Sequence, residues 1–220
     1  DKEAGVMAFH AYMALYDATN DQKWLQAAQA AADYTETWMY EQRFSIKNAT
    51  PAYANAGTRG FSLISTGHSG ADIFLSSEPY DYYRLYLHTN DAHYLKVAKD
   101  LLNNTKLSTQ ISVGQNFGYL KNGLVGEAND LSLMTYSGTD SSRVWLPWLT
   151  IAHIEPLQKF KDTFGYMSID SIESLPMSVR IEKNSHINSS ASPNFGAGDV
   201  DFKANGSDGP LIIHIGSKVD

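Results

Sequence analysis

The sequence contains no cysteine among its 220 residues. This absence excludes disulfides, zinc–thiolate sites, iron–sulfur clusters and cysteine nucleophiles. Charged residues are also scarce, at 19%, and the formal net charge is −7. Such a balance argues against a nucleic-acid partner, because phosphate contacts need clustered lysine and arginine. No apolar run approaches the roughly 18 residues of a membrane helix, so no membrane span is predicted.

The chain nevertheless has enough apolar material for a core. Hydrophobic residues make up 43% of the sequence and aromatic residues 12%, which is typical of a folded domain and not of a disordered chain. The sequence opens on Asp1, Lys2 and Glu3, without a methionine or a signal peptide. We therefore expect the sequence to be a mature or excised piece of a longer protein. The rest of that longer chain is then an expected partner of this piece.

The strongest pattern is an internal repeat at an offset of 70 residues. The segment LYDATNDQKWL, which starts at residue 15, returns as LYLHTNDAHYL, which starts at residue 85. Apolar residues recur at helical spacing on both sides of each Thr-Asn-Asp turn. Asn20 and Asn90 suit left-handed helix C-caps, and Asp21 and Asp91 suit the N-caps of the helices that follow. Each copy is thus predicted to be a hairpin of two antiparallel helices.

Long connections rich in Gly, Ser, Thr and Asn separate these hairpins. They cover about residues 41–77 and 105–141. Within the second connection, an Asn-Gly turn predicts a small β-hairpin over 119–125. A third helix is predicted to begin near residue 141 and to run through 151, and Pro156 is a point where it would kink or end.

After about Gly165 the pattern changes to short β-like runs. The runs SVRI at 178–181 and LIIHI at 211–215 are separated by Ser-, Asn- and Gly-rich clusters, which is typical of strands joined by turns. The predicted fold is therefore mainly α. Antiparallel helical hairpins form a domain over 1–165, and a short β-sandwich-like segment follows over 166–220.

The hairpin pattern Leu-Tyr-x-x-Thr-x-Asp-x-x-aromatic-Leu-x-x-Ala resembles that of the six-hairpin (α/α) toroid carbohydrate-active enzymes, which include glycoside hydrolases and polysaccharide lyases. The resemblance covers roughly residues 3–160. A toroid of this family contains about six hairpins, whereas this chain offers two and part of a third. The resemblance therefore implies the C-terminal portion of an incomplete toroid. It further implies a carbohydrate substrate and an extracellular or periplasmic location.

In that family the substrate lies at the end of the toroid where the long connections meet the first helix of each hairpin. Long polar loops on a rigid scaffold are also common places for binding and catalysis. The densest candidate segment is 60–72, with acidic residues following at the predicted start of a helix. We predict that His68, Asp72 and Glu78 are catalytic, because glycosidic cleavage commonly uses two carboxyl groups, one protonated and one ionised.

Five further residues are predicted to bind the substrate: Arg59, Tyr80, Asp81, Arg143 and Trp145. The two aromatic residues of this set lie near the starts of first helices and offer flat apolar surfaces to sugar rings.

Simpler explanations stay open for the same residues. Asp72, Glu78 and Asp81 all precede or begin a predicted helix, where acidic residues are common because they complement the helix dipole. His68 equally suits a loop histidine that is hydrogen-bonded to the backbone.

The sequence thus predicts part of a glycoside hydrolase and leaves two alternatives. In a polysaccharide lyase, Arg59, Arg84 or Arg143 would neutralise a uronate carboxylate. The other alternative is a non-catalytic helical-repeat module that binds carbohydrate or protein, or a structural fragment that binds no ligand. Phosphate-loop, dinucleotide-binding, nucleophile-elbow and His-Glu-x-x-His motifs are absent from the sequence, so no cofactor and no metal site are predicted.

Overall fold

A computed structural model of the chain describes residues 1–41, 59–66, 72–104 and 147–185, and the backbone of two short strands. The predicted mainly α fold is confirmed for these residues. The helices are α1 (Lys2–Thr19), α2 (Gln22–Glu36), α3 (Pro79–Thr89), α4 (Ala92–Asn104), α5 (Pro147–Phe164), α6 (Ile169–Glu173) and α7 (Met177–Ser185), and a 3₁₀ turn (Phe74–Ser77) precedes α3. None of the helices described is both long and apolar enough to cross a membrane.

The two Thr-Asn-Asp turns form as the repeat predicts. Asn20 and Asn90 end α1 and α3 with φ angles of 52° and 57°, in a left-handed region that asparagine tolerates better than most residues. The carboxylates of Asp21 and Asp91 accept hydrogen bonds from the backbone N–H groups two residues further on, at 3.0 and 2.9 Å. The hairpins α1–α2 and α3–α4 are therefore confirmed.

The first helices of the two hairpins run in the same direction. Phe9 of α1 contacts Tyr82 of α3, with ring centroids 5.1 Å apart. Further along both helices, Tyr16 contacts His88 with centroids 4.9 Å apart. Because both helices begin at the same end, their short turns lie together at the opposite end.

Helix α5 lies along the other side of α3 in the same direction. Trp148 contacts Phe74 just before α3 begins, and Phe160 and Phe164 contact Tyr80 and Tyr83 further along. The three helices α1, α3 and α5 are therefore parallel, and we call the end at which they begin the helix-start end.

Helix α3 is buried along almost its whole length. Its residues from Pro79 to Leu87 are all buried, which is the expected position of a helix with neighbours on every side. The hydroxyl of Tyr82 donates to the carbonyl of Ala32 at 3.0 Å, and that of Tyr83 donates to Glu173 at 2.7 Å. These partners make the burial of a tyrosine-rich helix favourable, since a buried hydroxyl needs a hydrogen bond.

Short backbone pairings hold the described parts of the first long connection at the helix-start end. Ser62 and Asp72 exchange backbone hydrogen bonds of 3.0 and 2.8 Å, and Leu63 donates to the carbonyl of Trp38 at 2.8 Å. These bonds fix Asp72 and the start of α3 relative to the end of α2.

The strand predicted over 178–181 is wrong, because these residues lie within α7. The residues that α7 buries are Arg180 and Asn184, which are one helical turn apart but polar, so the apolar pattern gave no helical period. The predicted β-sandwich-like segment is unsupported. In its place the described backbone shows one antiparallel pair of two-residue strands, β1 (Val200–Asp201) and β2 (His214–Ile215).

The prediction of a third helix is met in part. The third predicted helix exists as α5, and it continues past Pro156 to Phe164. Its expected beginning near residue 141 and the hairpin expected over 119–125 lie outside the described residues. Helical packing also extends beyond the predicted division at residue 165, since Ile169 and Ile172 are buried in the core that α1 and α3 share.

The close contact between α1 and α2 depends on Gly5. A Cβ at this position would lie 2.6 Å from Oγ1 of Thr35 and 2.7 Å from the ring of Tyr34. We predict that Gly5→Ala lowers the free energy of unfolding by about 1–3 kcal/mol through overpacking, as measured by urea denaturation.

The matched control is Ala14→Leu on the exposed face of α1, which should change the free energy by no more than about 0.5 kcal/mol. Inside a helix, alanine otherwise stabilises the folded state by about 1 kcal/mol relative to glycine. A stabilised Gly5→Ala variant would therefore contradict the close approach.

Candidate functional site

Three ionisable side chains converge where α1 passes the start of α3. Nε2 of His10 lies 2.7 Å from Oε2 of Glu78 and 3.3 Å from Oδ2 of Asp81. One nitrogen or oxygen atom from each residue lies within 4.8 Å of the others. We call these three residues the His10–Glu78–Asp81 cluster.

The cluster has a buried side and an accessible edge. The side chain of Glu78 is completely buried, that of Asp81 is 12% exposed and that of His10 is 31% exposed. The exposed surface of the cluster thus belongs mainly to the His10 ring, although the Nε2 atom that faces the two carboxylates is itself buried.

The two carboxylates set the charge of His10. Burial disfavours the charged imidazolium, but the neighbouring negative charges of Glu78 and Asp81 outweigh that cost and raise the pKa of His10 to about 9. Lys159 of α5 opposes them weakly. In the structure as described, His10 thus forms an ion pair with two acids at neutral pH.

Glu78 does not serve as an ordinary helix cap. It occupies the N-cap position of α3, yet its side chain makes no capping hydrogen bond. One carboxylate oxygen, Oε1, accepts from the hydroxyl of Ser77 at 2.6 Å, and the other faces His10. Helix capping is therefore not the role of this carboxylate.

Arg84 is fully engaged below the cluster. Its guanidinium forms an ion pair with Asp17, donates to Oδ1 of Asn184 at 3.0 Å and lies 3.5 Å from Oδ1 of Asp81. Its side chain is 4% exposed. Arg84 consequently holds α1, α3 and α7 together, and its charge is not available to an incoming uronate.

Asp72 is also part of the internal framework. It forms a buried ion pair with Lys2, whose side chain has no exposed surface. Its Oδ1 atom accepts from the backbone N–H of Phe74 at 2.7 Å. The structure thus places Asp72 where it joins the start of α1 to the 3₁₀ turn, apart from the cluster.

The remaining candidates divide into two groups. Tyr80 is 7% exposed, with its ring against Phe160 and its hydroxyl 2.7 Å from Oγ1 of Thr163, so it lies in the core. Arg59 pairs with Asp100 at 2.6 Å. The predictions for residues His68, Arg143 and Trp145 lie outside the described residues.

Sequence reasoning missed His10, because it lies in the middle of α1 and not in a loop. The internal repeat nevertheless contains the information that would have predicted its position. An offset of 70 residues places His10 level with Tyr80, and two parallel neighbouring helices bring such equivalent positions together. Glu78 and Asp81 flank Tyr80, so the repeat could have placed His10 beside them.

Comparison with known proteins identifies no relative of this chain. No family model, no curated protein and no solved structure matches the chain. The interpretation of the site therefore depends on its own geometry.

The buried Lys2–Asp72 pair generates a stability prediction. Lys2→Met leaves the Asp72 carboxylate buried without a counter-ion, so we expect a loss of about 3–5 kcal/mol in the free energy of unfolding. The double variant Lys2→Met/Asp72→Asn removes both charges and keeps the oxygen that accepts from Phe74. It should recover most of the loss in urea denaturation, and a double variant no more stable than Lys2→Met would refute the ion-pair explanation.

The environment of His88 requires a neutral imidazole. Oδ1 of Asn184 accepts from Arg84, so the amide nitrogen of Asn184 is the atom that faces Nε2 of His88, at 2.9 Å. That nitrogen of His88 therefore accepts a hydrogen bond, while the imidazole contacts the Tyr16 ring, which is almost perpendicular to it. Burial, with the charge of Arg84, lowers the pKa of His88 to about 4.

This shift predicts a specific loss of stability in acid. As the pH falls from about 6.5 to about 4, unfolded chains bind a proton at His88 that folded chains do not. The contribution of His88 to the free energy of unfolding, up to about 3 kcal/mol, should therefore be present above pH 6.5 and lost across this window. His88→Gln keeps an acceptor for Asn184 and should lack this part of the pH dependence. Identical pH profiles for the two proteins would contradict the assignment.

Proposed function

We propose that this chain is part of a glycoside hydrolase that acts on an oligo- or polysaccharide, and that the His10–Glu78–Asp81 cluster belongs to its active site. The observation that carries the proposal is the convergence of an imidazole and two carboxyl groups where α1 passes the start of α3. In this proposal the hairpins belong to an (α/α) toroid that further hairpins complete, and the protein works outside the cytoplasm, in the periplasm or the medium.

The residue types suit glycosidic cleavage. The reaction needs one group that protonates the leaving oxygen and another that activates water or stabilises positive charge on the sugar ring. The His10 and Asp81 side chains are partly exposed, whereas the Glu78 side chain is fully buried. We assign contact with the substrate to His10 and Asp81, and we assign to Glu78 the positioning of His10.

An exposed aromatic side chain at the same end supports a carbohydrate ligand. Trp148, in the first turn of α5, is 37% exposed, and its ring contacts Phe74 with centroids 5.9 Å apart. An indole held in this way offers an apolar face to the C–H groups of a sugar. It takes over the platform role predicted for Tyr80, which is buried.

The alternatives receive less support from the described residues. A lyase needs a cation for the uronate carboxylate, but Arg59 and Arg84 already pair with carboxylates of the chain, and the third candidate, Arg143, lies outside the described residues. A helical-repeat binding module has no need of acidic groups that converge on one histidine.

The proposal predicts that Asp81→Asn and His10→Asn each lower kcat/KM by at least about 100-fold, because each removes an ionisable group at the reacting bond. The measurement is reducing-sugar release from a panel of polysaccharides by the full-length protein that contains this chain, with folding of each variant checked by circular dichroism.

Asp91→Asn is the matched control. It removes a carboxylate from the turn between α3 and α4, at the opposite end from the cluster, and should leave kcat/KM unchanged. Unaltered turnover in both cluster variants of the full-length protein, or no release from any substrate of the panel by the full-length protein without substitutions, would refute the proposed function.

A further inference from the structure

The outer contacts of the cluster orient both carboxylates inward. Ser77 donates to Oε1 of Glu78 at 2.6 Å, and Arg84 lies 3.5 Å from Oδ1 of Asp81. Each carboxylate thus has one oxygen directed to a donor outside the cluster and the other directed to Nε2 of His10. Metal ligands are commonly oriented by outer partners in this manner.

The inward-facing atoms are close together but poorly satisfied. Nε2 of His10 and Oε2 of Glu78 are both buried, and neither makes a well-directed hydrogen bond, although they are 2.7 Å apart. A completely buried carboxylate oxygen without a hydrogen bond is costly. The two atoms are therefore paired by charge, without the well-directed hydrogen bond that Oε1 of Glu78 makes with Ser77.

The spacing of the atoms is close to that of ligands on one ion. Two ligands on a tetrahedral zinc ion, at about 2.0–2.1 Å from it, lie about 3.3 Å apart. Nε2 of His10 and Oδ2 of Asp81 are 3.3 Å apart, and the contact to Oε2 of Glu78 would need to widen from 2.7 Å by about 0.6 Å.

We propose that the His10–Glu78–Asp81 cluster binds one divalent transition-metal ion of the Zn²⁺ or Mn²⁺ class through Nε2, Oε2 and Oδ2. Mixed imidazole and carboxylate ligands suit such ions, whereas Ca²⁺ and Mg²⁺ prefer oxygen ligands alone.

The charges around the cluster are compatible with a dication. Two carboxylates and a neutral imidazole balance a charge of +2. The nearby cations have carboxylate partners of their own, since Arg84 pairs with Asp17 and Lys159 pairs with Glu155 at 2.7 Å. The two cations are therefore partly neutralised by these partners. Negative charge of the Glu78 and Asp81 carboxylates remains available to a bound ion.

The metal site goes beyond the proposed function and does not depend on it. A bound ion of this class supplies an activated water or a polarised substrate oxygen to many hydrolytic reactions. Binding of the ion can be measured without any substrate, so failure of the metal site and failure of the glycosidase proposal are distinguishable.

The test is titration of the chelator-treated full chain with Co²⁺, followed by visible absorption, and with Zn²⁺ and Mn²⁺, followed by calorimetry. We expect one ion per chain, and binding at least about 10-fold weaker in His10→Asn and in Glu78→Gln. His10 is partly exposed, so its variant should fold even if Glu78→Gln does not.

His93→Asn is the matched control, because His93 also lies 2.6 Å from a glutamate, Glu36, but without a third ligand from the described residues. This variant should bind the ion as the original chain does. The proposal is overturned if the original chain binds no transition-metal ion at millimolar concentration, if His10→Asn binds as tightly as the original chain, or if Ca²⁺ or Mg²⁺ binds equally well.

Discussion

The burial of α3 on all sides is the constraint on which the rest of the structure depends. Nine consecutive residues of this helix are buried, and among them are ionisable groups that an apolar environment cannot hold without partners. Asp81 and Arg84 are therefore matched by groups from α1 and α7, and the tyrosine hydroxyls by α2, α5 and α6. The charged networks that define the site follow from this requirement.

The same constraint explains why the site lies between repeats. The first helices of the hairpins are parallel neighbours, so equivalent positions of the two copies meet. His10 of the first copy is brought beside Glu78 and Asp81 of the second at contact distance. Neither hairpin contains the cluster alone, and the relative position of α1 and α3 fixes its geometry.

Local features of the fold could be predicted from the sequence, because they depend on a few adjacent residues. The asparagine caps at Asn20 and Asn90 are set by the backbone preference of one residue and by the aspartate that follows it. The role of Glu78 could not be predicted in the same way. An acid at a helix start suggests a cap. The Glu78 carboxylate instead contacts His10, which lies 68 residues earlier in the chain.

The error at α7 has a related physical cause. Helix prediction relies on a period of apolar residues, but α7 packs through Arg180 and Asn184, whose side chains bond to Glu173, His88 and other polar groups. A helix whose buried face is polar gives no apolar period. Its position depends on partners that lie about 100 residues earlier along the chain, such as Arg84.

The most direct test of the account is anomalous diffraction from crystals of the chain grown with Zn²⁺ or Mn²⁺. The account predicts a single anomalous peak about 2.0–2.2 Å from Nε2 of His10, Oε2 of Glu78 and Oδ2 of Asp81. Direct contact between His10 and Glu78 without a peak between them, or a peak bound only by other residues, would contradict it.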